Sequence, residues 1–262
     1  MKTLILAIVM ALSISAHAEV TATPGSVWNY LGTTPAERGN VIDYFHVDQG
    51  IVVGHVGTFE VTPYVAVNAT KDTKDYSWDN RQEYEGGVKF VKFYNSGAIN
   101  LGIAYGHESR NDSPNPSESR SALMVFTNGW FGYNAYDNPE EKHRFLGAPG
   151  SFAYTVGNVS PFERNDILAV ARLEQGLTFA KVGNMAVNLQ YWGQVSADTK
   201  GYDWNNRLIN GVGLRGSLPF GKNATLQITA GYECDQSLFN NCGPIISLNL
   251  WDGWRNDKGG NK

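Results

Sequence analysis

His107 and Ser109 stand two positions apart in a run that alternates apolar and small residues, so an extended chain places both side chains on one face. A histidine that takes the proton of a serine hydroxyl turns that oxygen into a nucleophile. A third group must orient the imidazole, and the sequence assigns none. The alternative reading is a polar rim that feeds a segment rich in Ser, Asn and Pro. A second set of residues is charged. Arg172 and Glu174 also stand two apart, and Arg215 lies in another extended run. Facing inward, they either pair and fill an interior or line a narrow aqueous path. Cys234 and Cys242, with seven residues between them, suit a disulfide across a short loop. A lone pair of cysteines is a weak metal signal, and His46, His55 and His143 are dispersed, so no metal site and no cofactor is expected. HExxH, phosphate-loop and EF-hand patterns do not occur, and no glycine-rich turn opens a helix as a dinucleotide fingerprint requires.

One stretch occurs twice. Tyr76-Ser77-Trp78-Asp79-Asn80-Arg81 returns as Tyr202-Asp203-Trp204-Asn205-Asn206-Arg207, 126 positions later. Each copy leads into an apolar segment bearing glycine, Gly86-Gly87-Val88 and Gly211-Val212-Gly213. The reading is one antiparallel sheet that meets an equivalent position twice. The alternative is coincidence between two loops of biased composition.

The elements that would position these residues are strands. In residues 98–107, Ile99, Leu101, Ile103 and Tyr105 alternate with Asn100, Gly102, Ala104 and Gly106. Period two excludes an amphipathic helix. The second set is small as well as polar, which suits a crowded barrel interior better than a water-facing sheet. Met185, Val187, Leu189 and Tyr191 repeat the alternation, as do Leu226, Ile228, Ala230 and Tyr232. The expected fold is all-β, an antiparallel transmembrane barrel of twelve strands, with ten to fourteen open. Strands are expected near 27–31, 43–56, 59–70, 83–93, 98–107, 121–133, 151–157, 167–181, 185–196, 207–217, 224–234 and 243–251. Asn100, Arg172, Glu174, Asn188, Gln190 and Arg215 are expected to line the lumen. Pro63 argues for a bulge, because it cannot donate to a ladder. Lys89 and Lys92 cannot share a period-two face, so a bulge or an early strand exit is expected between them. Residues 138–150 form a long connection where a short turn belongs.

Residues 1–18 read as a signal peptide: Met1-Lys2-Thr3, an apolar run from Leu4 to Leu12, and Ala16-His17-Ala18 before the cut. A single barrel domain then covers 19–254, and a polar tail 255–262. No later stretch has eighteen uninterrupted apolar residues. A net charge of −4 argues against a nucleic-acid partner. Charged residues make up 18% of the chain against 12% aromatic and 29 glycines, a mixture that suits a membrane barrel.

The mature region resembles a small Gram-negative outer-membrane β-barrel. Arg81, then Gly86-Gly87-Val88-Lys89-Phe90, then Asn100-Leu101-Gly102 to Arg110, is similar to barrels of the polysaccharide-export and phage-adsorption class. That resemblance implies an outer-membrane location, lipid around the barrel, an envelope protein or polysaccharide as partner, and a non-enzymatic envelope, transport or surface-interaction role. His107 and Ser109 match two positions of the His-x-Ser-Asn-Gly pattern of outer-membrane phospholipases, with Arg110-Asn111 in place of Asn-Gly. The alternatives are therefore a lipid hydrolase and a secreted soluble β-sheet binding module. Peptide mapping without reduction is expected to recover Cys234 and Cys242 as a linked pair; free thiols in protein from the envelope would refute the bridge.

Overall fold

A computed structural model describes residues 20–35, 39–76, 79–110, 118–134, 147–158, 160–163, 165–202, 205–220, 223–236 and 240–257. The signal-peptide reading, Trp78, Trp204 and residues 138–146 lie outside them. The period-two pattern resolves into thirteen extended segments among the described residues. They are β1 (Ala22–Thr33), β2 (Val41–Gly50), β3 (Gly54–Val56), β4 (Phe59–Asp72), β5 (Arg81–Tyr94), β6 (Gly97–Arg110) and β7 (Glu118–Asn134). The second run comprises β8 (Pro149–Gly157), β9 (Leu168–Val182), β10 (Met185–Asp198), β11 (Arg207–Phe220), β12 (Ala224–Asp235) and β13 (Asn241–Asp257). All pair antiparallel with their neighbours. Pairing of β1 with β13, and of β2 with β4, closes the sheet on itself.

β3 continues β2 along the same edge of β4. Gly50 pairs with Tyr64 and Gly54 with Val61, so the β2–β3 side carries one extra residue. The two segments are one bulged strand, and the barrel has twelve strands. The bulge sits opposite Pro63, whose carbonyl accepts from the Ile51 amide at 3.0 Å. A proline without an N–H is tolerated where the ladder is already interrupted.

Alternation sorts the side chains as the small face requires. Ile103 is 51% exposed and Ala104 is 2% exposed. Leu101, Leu189, Leu214 and Ile228 are exposed on the outside, while Tyr64, Ala66, Ala104 and Met124 cluster within. Outward aromatics bound the aliphatic belt in two rows. Tyr94, Tyr133, Phe152 and Phe220 ring the end that holds the first and last strand residues, called here the terminal end; Tyr105, Tyr191 and Tyr232 lie toward the other, the loop end. An apolar band between aromatic girdles is the outer surface of a barrel that faces hydrocarbon.

Two expectations are corrected. β5 pairs with β6 continuously from Arg81 to Tyr94, so no bulge or early exit separates Lys89 from Lys92. Lys89 turns inward to Asp48, and Lys92 points outward, its ammonium 5.3 Å from the centre of the Tyr94 ring. An outward lysine at a girdle keeps its charge near water while its stem lies on apolar surface. At the other extreme, β13 runs to Asp257, so residues 255–257, read from sequence as tail, pair with Ala22–Pro24.

The 126-residue repeat extends far beyond its six visible residues. β4 shifted by 126 is β10, and β5 shifted by 126 is β11, boundary for boundary. The turn glycines Gly57 and Gly183 share a positive φ, 60° and 58°. The β9–β10 ladder shifts register between Val187 and Asn188, the equivalents of Val61 and Thr62 beside the first bulge. The barrel is two six-stranded halves, β1–β7 and β8–β13, related by a pseudo-twofold. On the second half, Cys234 and Cys242 stand directly opposite in the β12–β13 register and form a disulfide.

Ile103→Lys is expected to lower the folded, heat-modifiable fraction in membranes far more than Ala104→Ser. A lysine at the lipid-facing midplane costs about 2–4 kcal/mol, whereas the interior position accepts a hydroxyl. Equal effects would overturn the assignment of faces.

Candidate functional site

The interior is organised by carboxylates, each held between a cation two residues back on its own strand and a cation two strands away. In the second half Glu174 (β9) accepts from Arg172 at 2.8 Å and from Arg215 of β11. Arg215 also donates from Nε to Thr229 Oγ1 at 3.1 Å, and Arg172 approaches Gln194 Oε1 at 3.5 Å. Arg215 is buried; its charge is sustained by this acid. Three of the residues expected to line the lumen thus meet in one cluster. The others sit apart from it: Asn188 accepts from Thr178, Asn100 donates to Asn128 at 2.7 Å, and buried Gln190 donates to the Tyr191 carbonyl at 3.3 Å.

The first half carries the same arrangement at positions 126 lower. Asp48, the equivalent of Glu174, takes Lys89 at 3.2 Å and His46 at 3.6 Å, with a further hydrogen bond from Ser26. Lys89 and His46 are the equivalents of Arg215 and Arg172. The Lys89 ammonium also lies 3.8 Å from the centre of the Tyr64 ring, a cation–π contact. Sequence reasoning missed this cluster because His46 was read as a dispersed histidine and Lys89 as a strand irregularity. The repeat offset, applied to Arg172, Glu174 and Arg215, would have found all three.

The repeated loop motif is a pair of matching cages at the loop end. Asn80 donates to Asp72 Oδ1 at 2.7 Å and to the Tyr76 carbonyl at 2.9 Å. Asn206 donates to the Tyr202 carbonyl at 2.8 Å, and Asp198 accepts the Tyr202 amide at 3.0 Å. The side-chain oxygens of Asn80 and Asn206 accept the amides of Asp72 and Asp198 in return. Each asparagine therefore clamps its loop onto the strand that enters it. The two arginines turn to carboxylates on the next hairpin: Arg207 binds Asp235, with Nε at 3.1 Å, and Arg81 lies 4.0 Å from Glu108. The motif's described polar residues are spent on holding loops.

A second repeat went unread. Thr34-Pro35-Ala36-Glu37-Arg38 returns as Ser160-Pro161-Phe162-Glu163-Arg164, again 126 apart. The second copy folds into the loop-end mouth. Ser160 donates to fully buried Glu108 at 2.7 Å, and Pro161 is buried beside Gly106, where a methyl group would meet Met124 at 2.7 Å and Pro161 at 3.2 Å. Arg110 and Arg120 flank the Phe162 ring at 4.1 and 4.7 Å. In the first copy Pro35 is buried and stands 3.7 Å from the Cβ position of Gly243. Pro35 and Pro161 are thus both buried, one in each half.

His107 and Ser109 share the outward face of β6, as their spacing demands. The His107 ring nitrogen contacts Ser121 on β7 at 2.8 Å rather than Ser109, whose cross-strand partners are Gln82 and Ser119. Glu108, between them in sequence, points the opposite way. The two residues proposed as base and nucleophile are not brought together as a pair.

Glu174→Gln is expected to destabilise the barrel by about 3–5 kcal/mol, since it strands Arg215 in the interior without its acid. Denaturant-induced loss of heat modifiability measures this. Arg215→Met in the same background should recover part of the loss; no recovery would mean that Glu174 acts through something other than the pair.

No family model and no curated protein matches the sequence. Among solved structures, the chain is similar to the beta domain of the Bordetella autotransporter Brka, at 10% identity over 90% of this chain and 100% of that one, TM-score 0.42. It is similar to an outer membrane channel from Pseudomonas putida F1, at 10% identity over 90% and 96%, TM-score 0.43, and to the KdgM porin, at 9% identity over 87% and 98%, TM-score 0.41.

Proposed function

We propose that the chain is a non-enzymatic barrel of the bacterial outer membrane with an envelope or transport role. The observation that carries this reading is the division of one closed sheet into an exposed apolar belt between aromatic rows and an interior of paired charges. A closed strand ring leaves no unpaired edge in hydrocarbon, and buried ion pairs are retained where charges face an aqueous lumen. The acid-centred clusters and the contact of Ser160 and Pro161 with inward Glu108 and Gly106 favour a narrow path over a wide pore.

Within that reading, a saccharide is the partner of choice, in line with the sequence resemblance to polysaccharide-export barrels. Trp130 and Trp251 occupy equivalent inward register positions near the terminal end and are 54% and 45% exposed. Each ring extends over a glycine: methyl groups at Gly132 and Gly253 would meet them at 2.9 and 3.0 Å. Exposed indole faces suit sugar rings, which stack on aromatics.

Purified protein in planar bilayers is expected to pass little current, and Arg172→Ala to be leakier, because the ion cluster around Glu174 then loses one of its two guanidinium groups. Stable, large wild-type openings would overturn the occluded-lumen reading. Lipid hydrolysis that disappears in Ser109→Ala would instead favour the hydrolase.

A further inference from the structure

The two halves treat one interior spot in opposite ways. On the inward face, Ala66 of β4 stands opposite Glu85 of β5, and Asn68 opposite Glu83. In the second half the same rungs are Trp192 opposite Gly211 and Gln194 opposite Ile209. Trp192 is fully buried and lies over Gly211, where a side chain would collide with the indole; its Nε1 donates to Glu233 at 2.7 Å. Donor and acid are both built in there. In the first half a methyl group replaces the indole, and two carboxylates stand on successive inward positions of one strand.

The cations nearby are already committed. Arg81 and Arg110 turn to Glu108, and Lys89 and His46 to Asp48. Among the described residues Glu83 and Glu85 make no ion pair within 4.0 Å. With His46 neutral, three cations face four carboxylates. A second observation falls on the same spot. Tyr64, whose equivalent is Gln190, is 2% exposed, and its hydroxyl is buried without a hydrogen-bond partner. The carboxylate that acts on it most strongly is that of Glu85, so the phenol reaches toward the acid pair. Oε1 of Glu83 is likewise buried and unpaired, while its Oε2 accepts from Asn68 at 3.4 Å. Buried polar atoms without partners are costly, and the second half, with Ile209 and Gly211, folds the same rungs without them. Lys89 shows which cation this wall suits: its ammonium lies 3.8 Å from the centre of the Tyr64 ring and 3.2 Å from Asp48.

We propose that Glu83, Glu85 and the Tyr64 hydroxyl bind the primary ammonium group of a small organic solute, an amine or an amino sugar, inside the barrel. The site rests on the transport reading above and names a substrate class for it. An ammonium brings three donors and no acceptor, and the two carboxylates and the phenol oxygen all accept. Its single charge balances the surplus carboxylate. An anionic solute would meet two acids with nothing to offer them, and a neutral sugar would leave the surplus charge in place. Among the described residues no three His, Cys, Asp or Glu side chains come together as a metal site.

The test is isothermal titration calorimetry of the purified barrel in detergent at fixed ionic strength, with putrescine, glucosamine, glucose and potassium chloride as titrants. The amines are expected to bind and glucose is not; the tighter of putrescine and glucosamine tells whether the ammonium comes on an alkyl chain or on a sugar. Glu83→Gln and Glu85→Gln keep the shape and remove the charge. Each is expected to weaken amine binding about tenfold, the loss of one charge-assisted contact, and Tyr64→Phe about threefold. Glu233→Gln should bind as the wild type does. Heat modifiability reports whether each variant folds, and Glu83→Ile, which installs the residue of the other half, serves if a glutamine variant does not. Unchanged binding in both glutamine variants, an equal loss in Glu233→Gln, glucose binding as tightly as glucosamine, or displacement of the amine by equimolar potassium overturns the proposal. A folded wild type that binds neither amine overturns it as well and leaves the membrane reading standing. Failure of the wild type to insert into bilayers is a separate measurement and sinks that reading instead.

Discussion

Closure of the sheet is the constraint on which everything else depends. β1 pairs with β13 from Ala22↔Asp257 to Gly32↔Ser247, and β2 pairs with β4 from Ile42↔Asp72 to Gly50↔Tyr64. These ladders remove both edges, so backbone donors and acceptors are satisfied within the ring and the outside can be apolar. The outer belt stabilises nothing in water; it is favourable only where hydrocarbon replaces solvent. The inside must then absorb the polar residues that alternation delivers, and it does so with carboxylates placed between cations.

What could be read from the sequence was whatever is local along one strand. Ile103 and Ala104 announce opposite faces because their neighbours at two-residue spacing are alike, and Pro63 announces a ladder fault because its missing donor is a property of the residue itself. The partners of a buried charge are set by register between strands, and register is not local. Lys89 is separated from Asp48 by 41 residues, and nothing in the sequence around either points to the other. Lys89 and Lys92 were misjudged for the same reason: one finds an acid two strands away inside the barrel and the other an aromatic girdle, and both are compatible with a regular strand. The repeat was the one long-range signal available. Six residues of it were visible, whereas the Pro35 and Pro161 loops and the two ion clusters lie on the same offset.

Duplication also shows which interactions the fold conserves by function rather than by residue. In the first cage Asn40 donates to Asp72 Oδ2 at 2.7 Å; in the second Asn205 donates to Asp198 Oδ2 at 2.8 Å. The equivalents of those donors are Asp166 and Asp79, so the amide and the acid have exchanged places. Each central aspartate keeps a side-chain amide on its Oδ2. Outside the cages the halves have drifted further, to a disulfide where the first half pairs His107 with Ser121, and to Asp43 and Lys71 where the second has Ala169 and Ala197.

The pseudo-twofold makes the seam between the chain ends the counterpart of the connection from β7 to β8. Pro24 and Pro149, each accepting from the side-chain amide of Gln49 or Gln175, mark the two equivalent entries. A ring of pairings has no first member, and this one has two places at which a chain can begin with the same proline, glycine and serine in the same surroundings. Circular permutation, in that sense, is already written into the barrel: cutting at one seam and joining at the other exchanges the order of the halves and leaves every ladder as it was.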